Sequence, residues 1–105
     1  MNDSKQQPPL VDAQQLRALV QSSETVIIVD VRSAEEFAAG TIEGAINVPA
    51  DQLADRSSAF PNDATVVTVC NHGGARSCGA AEQLRSRGFH RTVALKGGVR
   101  GFSTR

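Results

Sequence analysis

Residues 25–31 (TVIIVDV) and 65–69 (TVVTV) are runs of mostly β-branched residues with little polar alternation, the pattern of strands covered on both faces. Between and around them the apolar spacing becomes helical or breaks at glycine and proline. Leu10-Val11 reads as a short edge strand. Asp12 with Gln15 is a capping box opening a helix, with Leu16, Leu19 and Val20 at helical spacing. Ser33 with Glu36 is a second capping box, before the short helix AEEFAA (34–39), which Gly40 can end in a left-handed conformation. GAINVP (44–49) offers a brief strand, DQLAD (51–55) one or two helical turns and PNDA (61–64) a turn. After residue 69 come a glycine-containing loop and a helix over CGAAEQLRSRGF (78–89), with Cys78, Ala81 and Leu84 on its sheet-facing side. TVALKGG (92–98) supplies a last strand and a glycine turn, and VRGF (99–102) a final helical turn. Strands alternating with helices predict an α/β domain with a mostly parallel sheet.

Composition narrows the function classes. The 105 residues carry zero formal net charge and are 40% hydrophobic, which fits one small domain with a Val/Ile/Leu/Ala core. Balanced charge gives no electrostatic footprint for nucleic acid or a membrane surface. No apolar run approaches the roughly 18 residues of a membrane span. The opening MNDSKQQPP lacks the apolar segment of a signal peptide, so the expected location is cytoplasmic, with residues 1–9 a polar tail and 10–105 the folded domain. The two cysteines, Cys70 and Cys78, form neither a Cys-x-x-Cys pair nor a zinc-ligand pattern; reduced thiols are expected, and no metal or cofactor.

The chemistry concentrates in VCNHGGARS (69–77). A cysteine stands where a strand stops and a helix begins a few residues later, the position where open parallel sheets bind ligands. Asn71, His72, Gly73, Gly74 and Ala75 can turn several backbone N–H groups toward one centre as an anion nest. The positive end of the following helix and the forked donor of Arg76 add to it. Such surroundings lower a thiol pKa from about 8.5 to about 3.5–7.5, making Cys70 a nucleophile beside an anion cradle. The plainer alternative is a buried, inert cysteine at a strand end. His72 could give a proton but reads first as a solvent-facing residue. Cys78 reads as a small packing residue before a resolving thiol, and Asp30 with Arg32 as a structural ion pair or turn anchor. Gly97 and Gly98 let the backbone pass close to the pocket rim.

This loop, Asp30-Val31-Arg32, Glu36 and Phe37, the string Gly40, Ile42, Gly44, Ala45 and Pro49, and VALKGG together resemble the rhodanese-like domain family from Pro9 onward. The resemblance implies a rhodanese-like α/β fold, with a five-stranded, mostly parallel central sheet and helices on both faces. It implies a sulfurtransferase in which Cys70 carries sulfane sulfur from a donor such as thiosulfate to a thiol or cyanide acceptor. Residues 71–76 would then hold the donor and persulfide, and an accepting protein could follow.

The chain departs from the family pattern at Thr41 and Glu43, where His and Pro are common. Phe102 stands in for the aromatic residue, often Trp, after the glycine pair. The third departure is the loop: Arg76 gives Cys-x5-Arg instead of Cys-x-x-Gly-x-Arg. That spacing is also the signature of related phosphatases and arsenate reductases. Against that alternative, Val69 replaces the His expected before the cysteine, and the loop holds no Asp or Glu to protonate a leaving group. A relay or binding module without turnover is the third reading.

Overall fold

The computed structural model describes residues 9–22, 24–71 and 74–103. Within them lie β1 (Leu10–Val11), α1 (Ala13–Gln21), β2 (Val26–Asp30), α2 (Ala34–Ala39), β3 (Ile46–Asn47), α3 (Leu53–Arg56), β4 (Thr65–Val69), α4 (Ala75–Ser86), β5 (Thr92–Leu95) and α5 (Gly98–Ser103); single 3-10 turns flank α3. The strands form one sheet in the order β1-β5-β4-β2-β3, and every neighbouring pair is parallel. The expected tail lies outside the described residues apart from Pro9, whose carbonyl accepts from Ala94 N–H at 3.0 Å.

Both long apolar runs lie inside the sheet, where period two sends alternate side chains to opposite faces. Val29 and Val66 face one layer with Leu53, Phe60, Leu84 and Phe89. Ile28, Val67 and Val69 face the other, with Leu16, Leu95 and Val99. Because helices cover both sides, neither run needs polar residues on an outer face. On the second side Arg17 of α1 stacks over the Phe102 ring at 4.6 Å.

Both capping boxes form, Asp12 with Gln15 and Ser33 with Glu36. Three details differ from the sequence reading. Gly40 ends α2 at φ 149° and ψ 134°, not in the left-handed helical region; this turns its carbonyl to accept from Arg32 Nη2 at 2.7 Å. Val20 is 55% exposed on α1, whereas Leu16 is buried. The helix after the loop begins at Ala75 and buries Ala81 and Leu84 as expected, but their inward companions are Ser77 and Ala80, and Cys78 sits one position round and is half-buried.

Candidate active site

Cys70 follows the last residue of β4, is 3% exposed, and packs on the α4 side of the sheet with Ala80 and Leu84. Its thiol donates to Ser77 Oγ at 3.4 Å, and the Ser77 hydroxyl donates to Gly74 O at 3.3 Å. Thr68 Oγ1 fixes this turn from below by donating to the Ser77 carbonyl at 2.8 Å. From above, Gly97 (φ 83°) and Gly98 (φ 64°) bring α5 onto the same backbone. Val99 N–H donates to Cys70 O at 2.8 Å and Arg100 N–H to Asn71 O at 3.1 Å. A Cβ on Gly98 would strike the Cys70 carbonyl and lie 2.5 Å from Asn71 O, so only glycine fits this approach.

The electrostatics are organised by two carboxylates. Asp30, fully buried, receives Arg32 Nε at 2.9 Å, Arg32 Nη2 at 2.7 Å and Thr41 Oγ1 at 2.7 Å. Burial pushes the Asp30 carboxyl up, but the hydrogen bonds from Arg32 and Thr41 outweigh it and hold it below the ordinary value. The same contact raises Arg32. The remaining Arg32 nitrogen, Nη1, donates to Asn71 Oδ1 at 2.9 Å, tying the residue after the cysteine to the end of β2. Asn71 Nδ2 in turn donates to Glu36 Oε2 at 3.2 Å. Arg76, on the first turn of α4, donates to Glu36 Oε1 at 3.2 Å and Oε2 at 3.5 Å. Those bonds, with Ser33 N–H, bring Glu36 down to about 2. Glu36, Arg32, Gly40, Thr41, Asn71 and Arg100 line a cleft of about 420 Å³ against this loop. Burial first, then the nearby Cys70 and Glu82 charges, push the Cys78 thiol up, so Cys78 is a weaker nucleophile than an ordinary cysteine.

The rhodanese-like domain model matches residues 12–105. The chain belongs to the rhodanese-like domain family. Among its relatives are a sulfurtransferase of Allochromatium vinosum, 35% identical over 85% of this chain and 82% of that protein, and the thiosulfate sulfurtransferase GlpE of Pseudomonas fluorescens, 38% identical over 93% and 84%. The family is varied: a tRNA uridine(34) hydroxylase of Xanthomonas euvesicatoria is 36% identical, but this chain spans only 33% of its length. Among solved structures, the human single-domain sulfurtransferase TSTD1 superposes with a TM-score of 0.79 at 30% identity, covering 92% of this chain and 96% of that one. Among the described residues no helix is long and apolar enough to cross a membrane.

Seen as a rhodanese-like site, the loop brings together most of what its sequence pointed to. Cys70 and Asn71 stand at one end, and Gly74, Ala75 and Arg76 at the other. His72 and Gly73 lie outside the described residues, and with them the middle of the expected nest. Asp30 and Arg32 form the ion pair expected of them. Three residues emerge only from the fold. Ser77 contacts the sulfur, Glu36 joins both ends of the loop, and Arg32 orients Asn71. A signal for Ser77 existed: it is the one hydroxyl in a stripe (77, 80, 81, 84) of otherwise apolar residues, and a buried hydroxyl needs a partner.

Proposed function

We propose that this domain moves sulfane sulfur by way of a Cys70 persulfide. The Cys70 thiolate attacks the outer sulfur of a donor such as thiosulfate; the donor S–S bond breaks, sulfite leaves, and the new S–S bond is on Cys70. A thiol or cyanide acceptor then takes the outer sulfur and regenerates the thiolate. The observation that carries this reading is the placement of Cys70 at the carboxyl end of a central strand with its sulfur on the Ser77 hydroxyl. Once the thiol is deprotonated, that hydroxyl can turn to donate to the sulfur, stabilising thiolate and persulfide alike. Backbone N–H groups of the loop, from Asn71 through Arg76, add to this stabilisation. The named sulfurtransferases among the relatives support the same chemistry.

The Cys-x5-Arg spacing favours one second reading, phosphatase or arsenate-reductase chemistry. Glu36 weighs against it. It occupies the Arg76 fork that a phosphoryl or arsenate group would need, and, held near 2, it stays ionised and cannot protonate a leaving group at neutral pH. Two reduced thiols fit a reducing compartment, and we assign the protein to the cytoplasm, with a small sulfur donor, a thiol acceptor and, in a relay, a sulfur-accepting protein as its partners.

The test is the intact mass of the protein after brief incubation with thiosulfate and desalting. A gain of one sulfur atom, absent in Cys70→Ser and discharged by cyanide, is expected. No gain, with turnover of arsenate or an aryl phosphate instead, would replace the first reading by the second.

A further inference from the structure

Glu36 uses both carboxylate oxygens across the loop. Oε1 accepts from Ser33 N–H at 3.0 Å and Arg76 Nη1 at 3.2 Å; Oε2 accepts from Asn71 Nδ2 at 3.2 Å and Arg76 Nη2 at 3.5 Å. One side chain of α2 therefore holds Asn71, next to the nucleophile, and Arg76, at the start of α4. Among the described residues, the Arg76 guanidinium has Glu36 as its only ion-pair partner.

This arrangement bears on which sulfur donors the site can accept. A donor ending in a sulfonate, such as thiosulfate, is best recognised by a guanidinium fork. Here the fork already holds a carboxylate, and the donor must displace it while leaving the Glu36 charge beside its own dianion. A persulfide, R–S–SH, has no oxyanion head. It needs only access to Cys70 and a donor for its leaving sulfur, and its approach leaves the Glu36–Arg76 pair intact.

Resting on the sulfur-transfer reading above, we propose that Glu36 is the specificity-determining residue of this site, and that by holding Arg76 it directs the loop toward persulfide donors and away from donors ending in a tetrahedral oxyanion. In the favoured step the Cys70 thiolate attacks the outer sulfur of R–S–SH. The donor S–S bond breaks, R–S⁻ departs with the electron pair, and Cys70–S–SH forms. The sulfane sulfur keeps its oxidation state, so no oxidant or reductant enters.

The substitution to make is Glu36→Gln. Glutamine keeps the capping-box acceptor for Ser33 N–H while removing the charge. Sulfur loading of Cys70 would be followed by quenched intact mass, with thiosulfate and with a low-molecular-weight alkyl persulfide as donors. The variants are Glu36→Gln, Arg76→Ala and the pair combined. The exposed pair and the nearby like charge together lead to an expected gain of about threefold to tenfold in the second-order rate from thiosulfate in Glu36→Gln, with the persulfide rate changed less than about twofold. In the Arg76→Ala background the gain should vanish, which a merely structural role for Glu36 would not produce.

Sulfate provides an independent arm. The concentration that half-protects Cys70 from alkylation by iodoacetamide should fall by the same factor in Glu36→Gln. A wild-type protein that loads from thiosulfate no more slowly than Glu36→Gln, or a gain that survives Arg76→Ala, overturns the proposal. A wild-type protein that gains no sulfur from either donor overturns the sulfur-transfer reading instead, and the sulfate arm then decides whether Glu36 governs Arg76.

Discussion

Arg32 and Arg76 both serve a carboxylate beside Asn71, yet Arg32 is 5% exposed and Arg76 48%. Arg32 gives two nitrogens to a fully buried Asp30, one of them shared with the Gly40 carbonyl, and its third nitrogen to Asn71. The contacts to Asp30 are shielded from water and satisfy a fully buried charge. Arg76 meets Glu36 in solvent, where screening and side-chain entropy leave an ion pair little net strength. The same chemical pair is thus scaffold in one place and adjustable in the other. A family fold can keep its loop rigid at the cysteine end while the arginine end stays open to tuning.

The sharpest way to break the comparison is Arg32→Ala. It strands the buried Asp30 charge, and a loss of about 3–5 kcal/mol is expected from urea unfolding. Arg32→Lys should fall in between, because an ammonium cannot make the fork. The pH dependence carries a sign. In the wild type the Asp30 carboxyl lies below its ordinary value, so its stabilisation is fully present above the unfolded value, about 3.9, and is lost as pH falls through the lower folded value. In Arg32→Ala the guanidinium is gone, burial is opposed only by the Thr41 hydroxyl and the backbone N–H of residue 32, and the folded value rises. The stability gap between the two proteins should therefore narrow as pH falls from 7 toward 4. A constant gap would mean Asp30 does not depend on Arg32.

Next in size is Gly98→Ala. A left-handed φ of 64° and a Cβ driven into the Cys70 and Asn71 carbonyls should cost about 1–3 kcal/mol and slow sulfur loading. Gly79, inside α4 with open space at its Cβ, is the control: Gly79→Ala should stabilise by about 0.5–1 kcal/mol. Chemical denaturation of the two variants separates a glycine required by close approach from one that is not.

That contrast also bears on what the sequence could convey. Gly97-Gly98 was legible because two adjacent glycines after an apolar strand have few other uses, and β2 and β4 were legible because continuous branched runs have few other homes. The capping boxes were legible for a similar reason, since each is complete within four residues. The Glu36–Arg76 contact was not. It joins residues 40 apart, and it follows from β2 and β4 being sheet neighbours, which periodicity does not reveal. In α4 Ala81 and Leu84 face the sheet as expected, but Ser77 takes the inward place expected of its more apolar neighbour Cys78, and only the hydrogen bonds to Gly74 and from Cys70 explain why the serine turns inward. Val20 makes the converse point: an apolar residue at helical spacing need not be covered.

Ser77→Ala tests the buried side of the site more gently. Gly74 O and the Cys70 thiol both lose the Ser77 hydroxyl, although Gly74 O keeps the Cys78 N–H, and a cost of about 0.5–1.5 kcal/mol is expected in unfolding. Loss of one hydrogen bond to a thiolate should slow sulfur loading by about tenfold. A variant that loads at the wild-type rate would show that the hydroxyl packs against the sulfur without assisting it.

The smallest effect on stability belongs to Arg76→Ala, and that smallness is what distinguishes it from Arg32→Ala. An exposed pair should move Tm by less than about 2 °C. The effect should appear instead in the titration of Glu36, followed by NMR of its side-chain carboxyl carbon. With Arg76 in place the group titrates at about 2; without it the first-named cause of the depression is gone and the value should climb toward the ordinary carboxylate range, stopping short of it because Ser33 N–H still donates. Because the folded value is depressed, the pair stabilises the fold above the unfolded glutamate value and ceases to do so as pH falls toward 2. Removing Arg76 should narrow that window from its acid side. A Glu36 that titrates the same with and without Arg76 would place the origin of its depression in the α2 cap alone, and Arg76 would then be available to an oxyanion at no electrostatic cost.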